Sequence, residues 1–217
     1  MIVDVSEMIT LVGGGDLAAE DLQAALTIAP VLVAADSGAD KTLAAGVVPQ
    51  AVIGDLDSIS PGARAAVPES AIHHIPEQDS TDFDKALRSV KAPLVLALGF
   101  LGARLDHSLA ALNVLVRQPQ QPCILIGEQD VAFLCPLELR MTLPVGTRFS
   151  LFPMGPVQGQ STGLRWPLEG LEFSPTGMIG TSNEVCGDPL RVTLDARAMI
   201  AMVPRTHLKA VIKSLTA

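Results

Sequence analysis

The chain contains no tyrosine, one tryptophan and three cysteines in 217 residues. Cys123, Cys135 and Cys186 are too few and too scattered for a disulfide framework, and with no Cys-x-x-Cys pair they do not read as a zinc site. They are expected to be reduced core residues. Positive charge is scarce as well: 15 Lys and Arg against 23 Asp and Glu leave a net charge of −8 and a pI near 4.9. Nucleic-acid partners need a basic footprint to neutralise phosphates, so none is expected. No uninterrupted apolar run is as long as a membrane span, and the opening Met-Ile-Val-Asp-Val-Ser-Glu has acids but no basic segment. The expectation is a soluble cytoplasmic protein without a membrane partner. A G-x-x-x-x-G-K-[ST] segment is also missing, which removes the ordinary P-loop mode of phosphate binding.

What the chain does have is 48% hydrophobic residues, enough for a substantial core in one or two compact domains. From residue 8 to about 128, short apolar runs alternate with helical patterns, the signature of β-α units feeding a largely parallel sheet. The expected strands are 9–12, 31–35, 51–53, 71–75, 94–98 and 123–126, and the expected helices 17–26, 40–45, 82–90 and 106–116. Beyond about residue 131 the texture becomes β-like, as in 148–152, 190–194 and 199–203, with Pro and Gly between the runs. That second region reads as all-β, with the break between Glu128 and Pro144.

Carboxylates stand where these strands end or helices begin. Asp55 and Asp57 close an apolar run, and alternation would point both the same way if the extended conformation persisted. A hard divalent cation would relieve their repulsion, and Mg²⁺ is usually held by one or two carboxylates together with substrate phosphates. A solvated acidic turn is the alternative. Asp79 and Asp82 open a helix, where capping alone accounts for acids but not for Gln78 and Thr81. Asp106, His107 and Asn113 follow a third loop, whose Arg104 suits phosphate recognition. Arg64 and Lys85 read as cations on solvated faces. Gly13-Gly14-Gly15-Asp16-Leu17-Ala18 fits the dinucleotide fingerprint, with Asp36 at the end of the next strand as its ribose acid. A tight turn explains the same glycines. A nicotinamide-dependent oxidoreductase on Gly13, Gly15 and Asp36 and a catalytically silent nucleotide-binding module are therefore both open. Metal-assisted phosphoryl or pyrophosphoryl transfer accounts for more of the residues.

The ordered set Gly54-Asp55-Leu56-Asp57-Ser58, Gln78-Asp79-x-Thr81-Asp82-Phe83, Gly102-Ala103-Arg104-Leu105-Asp106-His107, the run 161–168 and Thr181-Ser182-Asn183 resembles the thiamine pyrophosphokinase family across nearly the whole chain. The resemblance implies an N-terminal three-layer α/β nucleotide-binding domain over 1–135, with a mostly parallel sheet, and a thiamine-binding and dimerisation β-sandwich over 136–217. It implies a homodimer that converts ATP and thiamine to thiamine diphosphate and AMP with Mg²⁺. By motif, the catalytic acids Asp55, Asp57, Asp82 and Asp106 would hold the metal and the ATP phosphates. Asp36, Ser37, Gly38, Ser58, Thr81, Arg104 and His107 would bind the nucleotide. Gln78 would lie where nucleotide and thiamine meet, and Ser182 and Asn183 would contact thiamine across the dimer interface. Leu56 stands where Phe is frequent, and Asp40 and Ala103 where Asn and Gly are common. Trp166 offers either a face to an aromatic cation or ordinary core packing.

Overall fold

The structure is a computed structural model that describes residues 1–102 and 104–217; Ala103 lies outside the described residues. The chain divides into two compact units, Met1–Val114 with Gln120–Gly127, and Leu115–Pro119 with Glu128–Ala217.

In the first unit, β1 (Ile9–Val12), β2 (Val31–Ala35), β3 (Ala51–Gly54), β4 (Ile72–His74), β5 (Val95–Leu98) and β6 (Cys123–Ile126) form a parallel sheet. Their order is β6-β5-β1-β2-β3-β4. Every residue of β1, β2, β3, β5 and β6 is buried, which is why these strands read as continuous apolar runs rather than alternating ones. Helices α1 (Ala19–Leu26), α2 (Gly38–Ala44), α3 (Pro61–Ala66), α4 (Asp82–Ser89) and α5 (Leu105–Arg117) alternate with the strands. Leu22 of α1 packs with Val12 and Leu32, and Ala39 of α2 with Ala34 and Val52. The strand order reverses beside β1, with β2 on one side and β5 on the other. At such a point the C-terminal strand ends leave the crevice where open α/β sheets bind ligands.

The strands expected at 9–12, 31–35 and 123–126 have those bounds in the structure, and the four expected helices agree to within two residues at each end. Helix α3 was not anticipated. It is short, and its start is set by Pro61 in the first turn and by Ser60, whose Oγ accepts the Ala63 N–H at 3.1 Å.

The second unit contains two antiparallel sheets. One runs β12-β9-β14-β7, from β7 (Asp130–Leu134), β9 (Arg148–Pro153), β12 (Gly180–Glu184) and β14 (Met199–Pro204). The other runs β8-β13-β10-β11, from β8 (Glu138–Met141), β10 (Val157–Thr162), β11 (Glu172–Phe173) and β13 (Leu190–Leu194). Buried and exposed residues alternate along β8 and β13, as in sheets with one face on a core. The region is not purely β: α6 (Leu208–Leu215) follows the last strand and packs against β8. Leu208, Val211, Ile212 and Leu215 carry its helical spacing, a short signal after a long β-rich stretch. Cys123 and Cys135 are buried as expected, and burial pushes the Cys135 thiol up to about 12; Cys186 is exposed rather than a core residue. Among the described residues no helix is long and apolar enough to cross a membrane.

Candidate active site

Three acids converge just beyond the sheet. Asp36 follows β2 and Asp55 follows β3, and one oxygen from each of Asp36, Asp55 and Asp57 lies within 4.8 Å of the other two. The alternation that would align Asp55 with Asp57 does not operate, because β3 stops at Gly54 and Leu56 adopts φ 63°. The left-handed turn at Leu56 brings the pair together instead, with the Asp57 N–H donating to Asp55 Oδ1 at 3.4 Å. Asp36 also has positive φ, 45°, a conformation that non-glycine residues adopt mainly where surrounding structure enforces it. Gly54 allows the crowding: a Cβ there would lie 3.0 Å from Asp36 Cβ and from Asp82 Oδ1.

Asp36 is 2% exposed. Its Oδ2 accepts the Ser58 N–H at 3.2 Å, while Oδ1 is buried with no hydrogen-bond partner among the described residues. Burial, reinforced by the charge of Asp82, raises its pKa from 3.8 to about 6. Ser58 Oγ donates to Asp57 Oδ1 at 2.8 Å, so Ser58 bonds two acids of the cluster.

Helix α4 brings in a residue that the sequence reading placed on a solvated face. Lys85 is 1% exposed, and its Nζ donates to Asp55 Oδ2 at 2.6 Å and to Asp82 Oδ1 at 3.1 Å. Burial opposes the charge, but the two carboxylates outweigh it and raise the Lys85 pKa above its ordinary value. Asp55 is correspondingly lowered, chiefly by the Lys85 hydrogen bond. Asp82 Oδ1 also accepts the Asp55 N–H at 3.3 Å, and Gln78 Nε2 donates to Asp55 Oδ2 at 3.3 Å. Asp79 does not cap α4: Thr81 does, accepting the Asp84 N–H at 3.3 Å. Asp106 pairs with Arg104 at 2.6 Å, both side chains exposed, and the guanidinium holds this carboxyl below the usual range. It is not among the acids that meet around Asp36 and Lys85.

A cavity of about 540 Å³ opens beside the cluster, lined by Asp36, Ser37, Ser58, Thr81, Asp82, Arg104 and His107 together with the 13–15 and 99–102 loops. Gly38 lies just outside that lining, where a Cβ would come within 2.1 Å of the Val12 carbonyl oxygen. The glycine loop does not form a dinucleotide cradle. The Gly13 and Gly15 N–H groups donate to the Leu98 and Gly99 carbonyls, and α1 starts only at Ala19. A Cβ on Gly15 would meet Gly99 O at 2.6 Å, so close packing of two loops requires glycine there. Asp36 belongs to the acid cluster, which removes the ribose acid from the oxidoreductase reading.

In the second unit, Asn183 is 5% exposed and holds the backbone of Trp166. Its Nδ2 donates to Trp166 O at 2.7 Å and its Oδ1 accepts the Trp166 N–H at 3.2 Å. Ser182 has φ 61°, and its N–H donates to Ser150 Oγ at 3.0 Å. Trp166 is not a core residue: it is 53% exposed, with the Arg165 guanidinium 5.0 Å above its ring.

Comparison with known proteins covers most of the chain. The family profile described as thiamin pyrophosphokinase, catalytic domain, matches residues 22–126, and the one described as thiamin pyrophosphokinase, vitamin B1 binding domain, matches residues 137–199. Thiamine pyrophosphokinase 1 of Oryza sativa subsp. japonica is 31% identical over 167 residues, 68% of this chain and 63% of its own length. Thiamin pyrophosphokinase 1 of Caenorhabditis elegans is 29% identical over 156 residues, 63% of each chain. The chain thus spans about 63% of the length of these curated relatives. In fold it is similar to the thiamin pyrophosphokinase of Candida albicans, with TM-score 0.75, 16% identity and coverage of 93% of this chain and 91% of the other. The yeast thiamin pyrophosphokinase gives TM-score 0.73 at 18% identity, covering 96% and 89%.

Proposed function

The chain belongs to the thiamine pyrophosphokinase family, and from that premise we propose that it transfers the pyrophosphoryl group of ATP to the hydroxyl of thiamine, giving thiamine diphosphate and AMP. The observation that carries the reading is an acid cluster beside a cavity at the reversal point of a parallel sheet. Nicotinamide chemistry loses its support once the Gly13 and Gly15 amides are spent on the end of β5 and on the loop that follows it.

The residues fit a divalent metal. Asp36 Oδ1 is buried without a hydrogen-bond partner among the described residues, and such an oxygen is costly unless something is bound to it. Asp36, Asp55 and Asp57 would hold Mg²⁺, with Asp82 beside them. Bound there, Mg²⁺ supplies charge neutralisation for the polyphosphate. Arg104, oriented by Asp106, presents a guanidinium to the phosphates, and Ser37, Thr81 and His107 line the space they would occupy. The thiamine hydroxyl oxygen forms a bond to the β-phosphorus while the bond from that phosphorus to the α,β-bridging oxygen breaks, so AMP departs with the bridging oxygen and the hydroxyl proton passes to solvent. The chain's part is mainly to position and to balance charge.

Thiamine recognition falls to residues 137–199, where Asn183 fixes the loop that presents Trp166 and the Ser182 N–H is tied to Ser150, and the active form is a homodimer, as the family resemblance implies. Incubation with ATP, Mg²⁺ and thiamine should yield AMP and thiamine diphosphate in equal amounts on chromatography. ADP as the product would mean a simple kinase and overturn the reading. Chelation of free Mg²⁺ should stop the reaction, and full turnover in excess chelator would refute the metal-assisted route. Sedimentation should give twice the 22.7 kDa chain mass.

A further inference from the structure

We propose that Lys85 is a positioning residue for the acid cluster: its buried ammonium takes one oxygen each from Asp55 and Asp82 and leaves their other oxygens to face the cation and the nucleotide. Asp55 Oδ2 is committed to Lys85 and Gln78, which leaves Oδ1 to the Asp57 turn and to a cation. Asp82 Oδ1 is committed to Lys85 and to the Asp55 N–H, which leaves Oδ2 for the cavity that Asp82 lines. One side chain thus sets the facing of two carboxylates that lie 27 residues apart in sequence.

Stability alone does not explain a lysine here. Lys85 lies on α4 among buried Phe83, Ala86 and Leu87, where apolar residues in place of Lys85 and its acid partners together would anchor the helix as well. Exchanging a buried ion pair for well-packed apolar residues is often neutral or stabilising. The ammonium is also no diffuse counter-charge, because at 1% exposure its position is fixed by the two oxygens it bonds.

Deleting Lys85 therefore has a diagnostic sign. A bystander charge would weaken cation binding by repulsion, so its removal should tighten that binding. A positioning residue predicts the reverse, since Asp55 and Asp82 lose their common partner and turn away from each other. The test is Lys85→Met, with Mn²⁺ binding to the free protein followed by electron paramagnetic resonance and steady-state kinetics measured alongside. Mn²⁺ affinity should fall at least about tenfold, the range typical when a residue supporting metal ligands is lost. Kinetically, kcat should fall by more than about tenfold while the thiamine KM stays within about threefold, the pattern of a lost transition-state interaction. If Lys85→Met does not fold, Lys85→Gln, neutral but able to donate to one oxygen, takes its place. A folded variant with unchanged or tighter Mn²⁺ binding overturns the proposal. The kcat prediction rests on the proposed function, whereas the Mn²⁺ measurement does not. A wild type that binds Mn²⁺ but makes no thiamine diphosphate would sink that function and leave Lys85 to be judged by the metal.

Discussion

At the scale of single residues, Asp36 is where folding and the proposed chemistry pull against each other. Its pKa rises from 3.8 to about 6 because the carboxylate is buried beside Asp82. Between those values the folded chain binds the extra proton and the unfolded chain does not, so stability falls as pH rises through this window and the full penalty stands above about pH 6. A shift of this size corresponds to about 3 kcal/mol. Asp36→Asn should therefore make the metal-free protein more stable by up to about 3 kcal/mol at pH 7.5, with the gain gone below about pH 4. Urea unfolding in chelator at the two pH values would check this, and an equal gain at both would mean that the carboxylate is not strained. Mg²⁺ should then stabilise the wild type and not the variant. Asp55, Asp57 and Asp82 stand out in the sequence because they follow a strand or open a helix, whereas Asp36 reads as a nucleotide-binding residue and Asp106, which reads as a metal acid, lies apart from the cluster. Lys85 was not: nothing within one turn of α4 says that its ammonium meets an acid 30 residues earlier, and an isolated lysine on a helix is usually solvated.

At the scale of elements, the parallel strands were readable because double-sided burial gives unbroken apolar runs, whereas the loops between them are governed by close approach. Asp55 and Asp57 illustrate this, since the turn at Leu56 cannot be inferred from period-two spacing. The glycines are a sharper case. A Cβ on Gly38 would sit 2.1 Å from the Val12 carbonyl oxygen, a backbone atom of β1 that cannot retreat without disturbing the sheet. One on Gly14 would sit 2.3 Å from Ser37 Oγ, which can rotate away. Gly38→Ala should cost about 2 to 3 kcal/mol, the upper range for overpacking, and Gly14→Ala less than about 1 kcal/mol. Denaturant midpoints of the two variants measure the contrast, and equal losses would show that β1 yields as easily as a serine rotamer. The same reasoning explains why Gly13-Gly14-Gly15 imitates a dinucleotide fingerprint: two loops that pack backbone to backbone need glycine as much as a pyrophosphate cradle does.

At the scale of the whole molecule, the acids, Lys85 and the cavity belong to the first unit, and the Asn183 and Trp166 pair belongs to the second. Substitutions in the two units should accordingly damage different kinetic constants. Asp57→Asn removes an acid of the cluster without touching the buried sheet, so kcat should collapse while the fold survives. Asn183→Ala acts elsewhere. It leaves the Trp166 N–H and C=O without their side-chain partner, so the exposed indole is no longer held in one orientation. The family resemblance implies direct contact of Asn183 with thiamine, but its carboxamide already bonds the Trp166 backbone, and an effect on thiamine would pass through that loop. The thiamine KM should rise by about tenfold, equivalent to about 1.4 kcal/mol of binding, while the ATP KM stays within about twofold. Trp166→Phe keeps an aromatic face at the end of the same backbone bonds and should lose less than Asn183→Ala if orientation is what matters. If Asn183→Ala raises both KM values alike, Asn183 only stabilises its own unit, and thiamine is recognised elsewhere on the chain.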